Sequence, residues 1–369
     1  MFTSTRRLAA VLVAGALVTG LTLTGPAASA AQPRVKPTKS ASWLAGQLTN
    51  GLVHNDQFAF DDYGLTADVG FALAAIDGNS RELRALRAAL GKHVESWTTG
   101  VDFGSSDVYA GSTAKALVFA QTTGANPKKY GGINLVKQLS ALVSTAGPTK
   151  GRIQDASTMG DFANTIGQSF AATGLSNAGA TQGRQALKYL LKQQCHKGFF
   201  RLDFSDKSAP DQSCTGAPAA DRVPDTDATA LAVLNLLSLE RPSPKARDAV
   251  GKAVKWLRKT QQANGSWGGG PSTEASNANS TGLAGWALAS ADYCPNAARA
   301  ARWVRKLTVA GDVAGTPLAG QKGAIAYDRA ALTAAQAAGI TTDTQDQFRR
   351  ATAQAAPVLL YQSGTGCPS

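Results

Sequence analysis

The chain has 369 residues, with 37 Lys or Arg against 25 Asp or Glu, a net charge of +12, 43% hydrophobic residues and only 4 Cys. That mixture excludes a disordered chain, a collagen-like fibre and a small disulfide scaffold, because there is ample apolar material for a core. The length allows one large domain or two average ones.

The first thirty residues read as a leader. Arg6 and Arg7 give a positive start, an apolar run follows from Leu8 to Thr24, and Gly25 and Pro26 break it before Ala28-Ser29-Ala30. Those are the three regions of a secretory signal peptide in order, with cleavage expected after Ala30. Residues 31–40 then form a short linker, 41–362 a single domain and 363–369 a tail. No later stretch has the roughly 20 uninterrupted apolar residues that span a bilayer, so a secreted, unanchored monomer is expected. The positive balance suits either a solvated basic surface or contact with an anionic cell-wall polymer such as teichoic acid. No nucleic-acid partner is expected.

Six stretches rich in small residues follow one another at regular intervals, each led by a polar residue: 65–73, 112–120, 164–171, 228–234, 280–288 and 328–335. Aligned, five share a threonine column of Thr66, Thr113, Thr165, Thr229 and Thr281, and Arg329 takes the sixth place. More charged amphipathic stretches at 81–95, 133–143, 183–194, 245–262 and 297–307 precede the later five. Each mixes Leu, Val or Trp at helical spacing with Lys and Arg, as half-exposed helices do. A period of this kind marks a repeat architecture. The predicted fold is therefore all-α, an (α/α)6 toroid of six helical hairpins with a small-residue inner ring and an amphipathic outer ring. An open superhelix is the alternative. Links from inner to outer helices are short turns, whereas those from outer to inner helices are long. In a closed ring the long loops gather on one face, where function is usually carried.

The cysteines Cys195, Cys214, Cys294 and Cys367 are even in number, which in an exported chain favours disulfides over free thiols. Three connectivities are possible. Cys195 with Cys214 would close one polar loop, and Cys294 with Cys367 would pin the chain end. His54, His93 and His196 are the only histidines, and no Cys-x-x-Cys or paired-His spacing exists, so neither metal nor cofactor is expected.

The segment 253–267, in which Trp256-Leu257 is followed by Gln261-Gln262 and then Gly265-Ser266-Trp267, resembles the QW repeat of squalene and terpene cyclases. A weaker copy runs from Ala186 through Gln193-Gln194 to Gly198-Phe199-Phe200. With the sixfold period, the chain resembles the terpenoid cyclase/protein prenyltransferase α/α-toroid superfamily over residues 40–360, specifically its secreted single-toroid members. The resemblance implies the toroid fold; the superfamily holds both enzymes and pure binding proteins. In physical terms the QW element is structural: Gln261 or Gln262 reaches orphan backbone groups at a helix end, and Trp267 covers it.

Pro224-Asp225-Thr226-Asp227-Ala228-Thr229 resembles the Asp-x-Asp-Asp-Thr motif of class II terpene cyclases, whose middle acid protonates an alkene or epoxide. By that match Asp225 is the first acid and Asp227 the protonating one, both catalytic only if the chain is an enzyme. Ala228 stands where the third acid belongs, removing a neighbour that would tune the proton donor. Asp61-Asp62-Tyr63-Gly64-Leu65 likewise lacks the last acid of a metal-binding Asp-Asp-x-x-Asp motif.

Asp62, Asp161, Asp225 and Asn277 each precede the column threonine by four residues and read equally as helix caps. A ring of such caps also makes a polar rim at one mouth of the toroid. Asp68 and Lys115, two places past the column, are set to pair in neighbouring inner helices. Phe71, Phe119, Phe170 and Trp286 belong either to core or to a cavity wall, and Phe103, Phe199, Phe200 and Trp267 sit in mouth loops. The expected ligand-binding set is thus Asp62, Asp68, Asp161, Asp225, Asp227, Phe199, Phe200 and Trp286. The leading expectation is a protein that binds a small molecule (hydrophobic or terpenoid, corrinoid-like, or cell-wall-derived) at the long-loop mouth. A single toroid with Asp-Thr helix openings also resembles the larger domain of the vitamin B12 carriers. The alternatives are a degenerate terpene-cyclase-like enzyme using Asp225 and Asp227, a polysaccharide-acting enzyme pairing Asp161 with Asp225, and a structural protein with a filled ring.

Overall fold

A computed structural model describes residues 37–363 and Cys367. The leader expected at 1–30 and most of the expected linker and tail lie outside the described residues. Fourteen α-helices occur in chain order among them: α1 (Thr38–Gly46), α2 (Tyr63–Asp77), α3 (Arg81–Gly91), α4 (Val94–Thr98), α5 (Ala110–Thr123), α6 (Leu135–Ala141), α7 (Thr165–Asn177), α8 (Thr181–Lys192), α9 (Thr226–Leu237), α10 (Pro244–Thr260), α11 (Ala278–Ser290), α12 (Cys294–Arg305), α13 (Arg329–Ala338) and α14 (Thr342–Ala355). The last continues as a 3-10 turn over Ala356–Tyr361. Between α1 and α2 lies a small antiparallel sheet in which Leu52–Asn55 pairs with Leu48–Thr49 on one side and Phe60–Asp61 on the other.

Six inner helices pack side by side in the order α2, α5, α7, α9, α11, α14, and α14 closes the ring against α2. The outer partners are α1, α3, α6, α8, α10 and α12. Their faces divide as the sequence pattern requires: on α10, Ala246, Ala249, Ala253, Val254, Trp256 and Leu257 are buried while Lys245, Arg247, Lys252, Lys255, Arg258 and Lys259 are exposed. Inner helices are buried nearly all round because Ala and Gly let their backbones approach; an added Cβ on Gly282 would run into Ala355 and Gln354 of α14. This is an (α/α)6 toroid.

One interaction recurs in five of the six hairpins. A glycine at positive φ, Gly51, Gly151, Gly198, Gly265 or Gly323, ends the turn after an outer helix. Each lies so close to the next outer helix that a Cβ would collide with it; at Gly265 the added atom would sit 2.6 Å from the Arg299 carbonyl oxygen. Two residues on, a buried backbone N–H donates to a side chain of the inner helix, the helix's fourth residue in all but the last unit. Val53 donates to Thr66 Oγ1 at 2.9 Å, Phe200 to Thr229 Oγ1 at 2.9 Å, Trp267 to Thr281 Oγ1 at 3.0 Å and Ile325 to Thr352 Oγ1 at 2.8 Å. In α7 the acceptor is Gln168 Oε1, 2.9 Å from the Ile153 nitrogen. A buried N–H left without this partner would cost as much as a broken hydrogen bond.

The column expected from sequence is thereby corrected in two units. In α7 it is Gln168, three residues after Thr165, because Asn164 caps the helix through Gly167 N. In the sixth unit it is Thr352 in α14, since α13, where Arg329 was placed, is an added helix in the link between α12 and α14. The α3–α5 unit departs differently: Thr113 Oγ1 accepts from Gln138 Nε2 at 3.2 Å.

The QW glutamines act between units. Gln261 Nε2 donates to the carbonyls of Gly265 and Asn296, and Gln194 Nε2 donates to those of Gly198 and Ala249, each bridging its own turn to the next outer helix. Trp267 is buried, its Nε1 donating to the Leu257 carbonyl at 3.0 Å. Disulfides join Cys195 to Cys214 and Cys294 to Cys367. Among the described residues no helix is long and apolar enough to cross a membrane.

Two glycines of the fifth hairpin should respond oppositely to alanine. Gly265→Ala forces a side chain to positive φ against Arg299 and should cost more than about 2 kcal/mol. Gly251→Ala, in open space on α10, should stabilise by about 0.5–1 kcal/mol. Urea denaturation of both variants at one pH measures the difference.

Candidate functional site

The inner helices point one residue per turn at the axis, and the column fixes which. Two residues past it lie Asp68, Lys115, Phe170, Leu231, Leu283 and Gln354, and all six line one central cavity of about 940 Å³. The next layer inward adds Phe71, Val118, Leu234 and Trp286. The cavity reaches from the helix starts at Gly64 and Gly111 to the opposite ends at Thr122, Ser238 and Ser290. An added Cβ on Gly111 would meet open space, whereas one on Gly167 would crowd Gly111 and Ile153.

Within this apolar volume sits one ion pair. Lys115 Nζ is 2.7 Å from Asp68 Oδ1 and also donates to the Gly64 carbonyl at 2.9 Å. Phe71 stacks on Phe170 with ring centroids 6.0 Å apart, while Phe119 is buried behind them, edge-on to Phe71. Trp286 lies on the wall. The long links expose Phe103, Met159 and Phe162, and Phe162 also lines the cavity.

One layer nearer the mouth, two residues before the column, the ring has two unlike halves. Gly64, Gly111 and Ile166 complete the cavity wall, whereas α9, α11 and α14 contribute Asp227, Asn279 and Arg350. Asp227 shares its helix face with Leu231 and Leu234 by the i, i+4, i+7 rule. It is partly exposed, yet Oδ1 is fully enclosed with no hydrogen-bond partner, as is the neighbouring Ser280 Oγ. Burial pushes the Asp227 carboxyl up to about 6, with Ser280 pulling it down and Asp225 pushing it up. Tyr327 is raised as well, first by burial and then by the charges of Asp227 and Asp328.

Asp225 behaves differently from its neighbour two residues on. It caps α9, Oδ1 accepting from Ala228 N at 2.7 Å, and it is buried. Burial raises its carboxyl above the usual range, against the N–H groups of Ala228 and Asp227, which lower it. Gly270 packs against its other oxygen so closely that a side chain there would strike it.

The remaining expected residues are spread around the mouth. Asp62 caps α2 through Leu65 N at 2.7 Å and pairs with Arg350 at 2.5 Å. Asp161 does not cap α7. Its carboxylate is held by Arg152 at 3.0 Å and Lys207 at 2.9 Å and accepts from Asp155 N. Burial alone would raise it, but the Asp155 N–H, Lys207, the Ala163 N–H and Arg152 outweigh burial and keep it low. Phe199 and Phe200 are buried in the core, Phe199 against Trp256, so they form the backing of the mouth and not its lining. Of the expected set, Asp68 and Trp286 reach the cavity wall, and Asp227 lies at its mouth. Among the described residues no group of three or more His, Cys, Asp or Glu side chains is placed to hold a metal ion.

Tyr327 and Phe58, in the loops beside α14 and the small sheet, entered no sequence argument. No repeat position marks them, because the loops differ from unit to unit.

Because its folded value lies above the ordinary carboxylate value, Asp227 binds a proton more tightly in the folded state. Its contribution is therefore fully present below about pH 4 and is lost as pH rises through about 6. Asp227→Asn should be more stable than the wild type at pH 7 by on the order of 2 kcal/mol, with the gap closing toward pH 4. Denaturation of both proteins at the two pH values checks this.

No protein-family model matches the sequence, and no curated protein matches it. Solved structures do match in fold. A variant of the type II terpene cyclase MstE from Scytonema, bound to geranylgeranyl dihydroxybenzoate, superposes with a TM-score of 0.58 at 13% identity, covering 89% of this chain and 96% of that one. A protein from Actinoplanes gives 0.57 at 16% identity over 89% and 98% of the two chains. The unsaturated glucuronyl hydrolase of a Bacillus species, which degrades glycosaminoglycan, gives 0.56 at 10% identity over 89% and 97%. At such identities the likeness is one of architecture. This chain has the α/α-toroid fold of those proteins.

Proposed function

We propose that this chain is an exported binding protein that takes an elongated apolar small molecule into the centre of the toroid. The observation that carries the reading is the cavity: about 940 Å³, within the range of small-molecule sites, with Phe71, Phe170, Leu231, Leu234, Leu283 and Trp286 on its wall. Asp68 and Lys115 neutralise each other inside it, so the cavity carries no net charge to attract an ion. The exposed Phe162 on the cavity lining suits an apolar guest. Export is supported by the leader pattern of residues 1–30 and by the two disulfides.

A second reading, acid catalysis by Asp227, is favoured by its carboxyl near 6, which keeps a proton available close to neutral pH. Against it stands the absence of a third acid at Ala228. Asp225 is occupied as a cap, and Oδ1 of Asp227 lacks a partner that would orient its proton. A polysaccharide-cleaving pair of Asp161 and Asp225 is not supported, because Arg152 and Lys207 engage Asp161.

The test uses Gly111, which lines the cavity and has open space beyond its Cα. Gly111→Phe should plug the cavity without unfolding the ring. Isothermal titration with farnesol as probe should give one site in the wild type and none in the variant, with equal melting temperatures. Unchanged binding in the variant would place the apolar site elsewhere. Release of a cyclised product by the wild type, lost in Asp227→Asn, would establish the enzymatic reading instead.

A further inference from the structure

The cavity layer two residues past the column is divided into two arcs. Gln354, Asp68 and Lys115 stand on the consecutive helices α14, α2 and α5, whereas Phe170, Leu231 and Leu283 stand on α7, α9 and α11. A polar arc therefore faces an apolar one across the axis. The Lys115 and Asp68 side chains keep 20% and 22% of their surface exposed, and both line the cavity, so the ion pair is open to an occupant. The recess beside Asn279 and Arg350, about 320 Å³, shares no lining residue with the cavity and adds nothing to this layer.

The hydrogen-bonding capacity left on the polar arc is specific. An ammonium has three N–H donors. Lys115 spends one on Asp68 Oδ1 at 2.7 Å and one on the Gly64 carbonyl at 2.9 Å, which leaves one. Asp68 Oδ2 and Gln354 Nε2 make no hydrogen bond among the described residues, yet neither is enclosed as Asp227 Oδ1 is. Because Asn279 Nδ2 holds the Gln354 oxygen at 2.8 Å, the amide keeps its NH2 group for a guest. The arc thus offers donors on two nitrogens and one acceptor oxygen.

A hydroxyl group carries the matching set: one O–H for Asp68 Oδ2 and two lone pairs for Lys115 and Gln354. A carboxylate would be repelled by Asp68 and an amine by Lys115. An ether or a hydrocarbon would desolvate Asp68 Oδ2 and give it no proton in return. The next layer inward, with Phe71, Val118, Leu234 and Trp286, is left for the apolar remainder of the guest. We propose that Gln354, Asp68 and Lys115 form a hydroxyl-selecting station in the cavity wall, so that the guest is an uncharged alcohol of otherwise apolar character. The proposal rests on the cavity reading above and names the class of molecule it takes.

Titration calorimetry at neutral pH with farnesol, farnesyl methyl ether, farnesoic acid and farnesylamine tests it. The wild type should bind farnesol about tenfold or more tightly than each of the other three, the margin that one net hydrogen bond supplies. Two single variants should switch the choice. Lys115→Met leaves a lone carboxylate and should prefer the amine; Asp68→Asn leaves a lone ammonium and should prefer the acid. The double variant Asp68→Leu with Lys115→Met strands no charge and should keep the fold where a single variant does not. It should bind farnesol and the ether equally, whereas an ion pair with a merely structural role would leave the ranking of the four probes unchanged. Farnesol and the ether binding the wild type equally, the acid or the amine binding it best, or an unchanged ranking in the folded double variant would overturn the hydroxyl assignment and leave the cavity reading standing. If none of the four binds the wild type, the cavity reading itself fails and the hydroxyl assignment falls with it.

Discussion

The toroid depends on a buried backbone N–H that finds its acceptor only in the next inner helix of the ring. In five hairpins that N–H stands two residues after a glycine at positive φ and donates to Thr66, Gln168, Thr229, Thr281 or Thr352. The glycine lets the turn lie flat on the neighbouring outer helix, and the hydrogen bond fixes how far along its axis each inner helix sits. Gly323 does this against Lys39 at the start of α1, so the last turn closes onto the first outer helix. With rotation and height set five times over, the inward-facing layers follow.

Those layers explain why neighbouring residues of one motif have different fates. Asp225 precedes α9 and spends its carboxylate on the helix start, whereas Asp227 falls on the axial face with Leu231 and Leu234. Its raised carboxyl is a consequence of that placement, because the layer beneath it is hydrocarbon. The same geometry divides the mouth. Where the layer offers Gly64, Gly111 and Ile166 the cavity opens wide. Where it offers Asp227, Asn279 and Arg350 the mouth becomes polar, and a second recess opens beside the first.

Much of this was legible in the chain. The threonine column announced the period, and the Gly-x-Trp turn after Gln261 announced the inter-unit stitch. The offset of two past the column singled out Asp68 and Lys115, which do face the axis. The reading slipped where a unit substitutes chemistry for sequence. Gln168 does the work of a threonine with a longer side chain and needs a later register. The sixth column residue, Thr352, lies beyond an inserted helix that itself carries an Asp328 cap and a run of alanines. Phe199 and Phe200 look like loop aromatics in a sequence, yet both are buried, Phe199 against Trp256.

The sequence by itself determined the number of hairpins, which faces are greasy, where the turns fall and that cysteines pair, because these follow from local periodicity and from residue types with one strong preference. Only the tertiary structure decided which inner side chains share a layer, that Asp161 is tied down by Arg152 and Lys207, and that an oxygen of Asp227 is enclosed without a partner. Those facts join residues tens to hundreds of positions apart, and their distances are set by the closure of the ring, to which no single stretch of sequence refers.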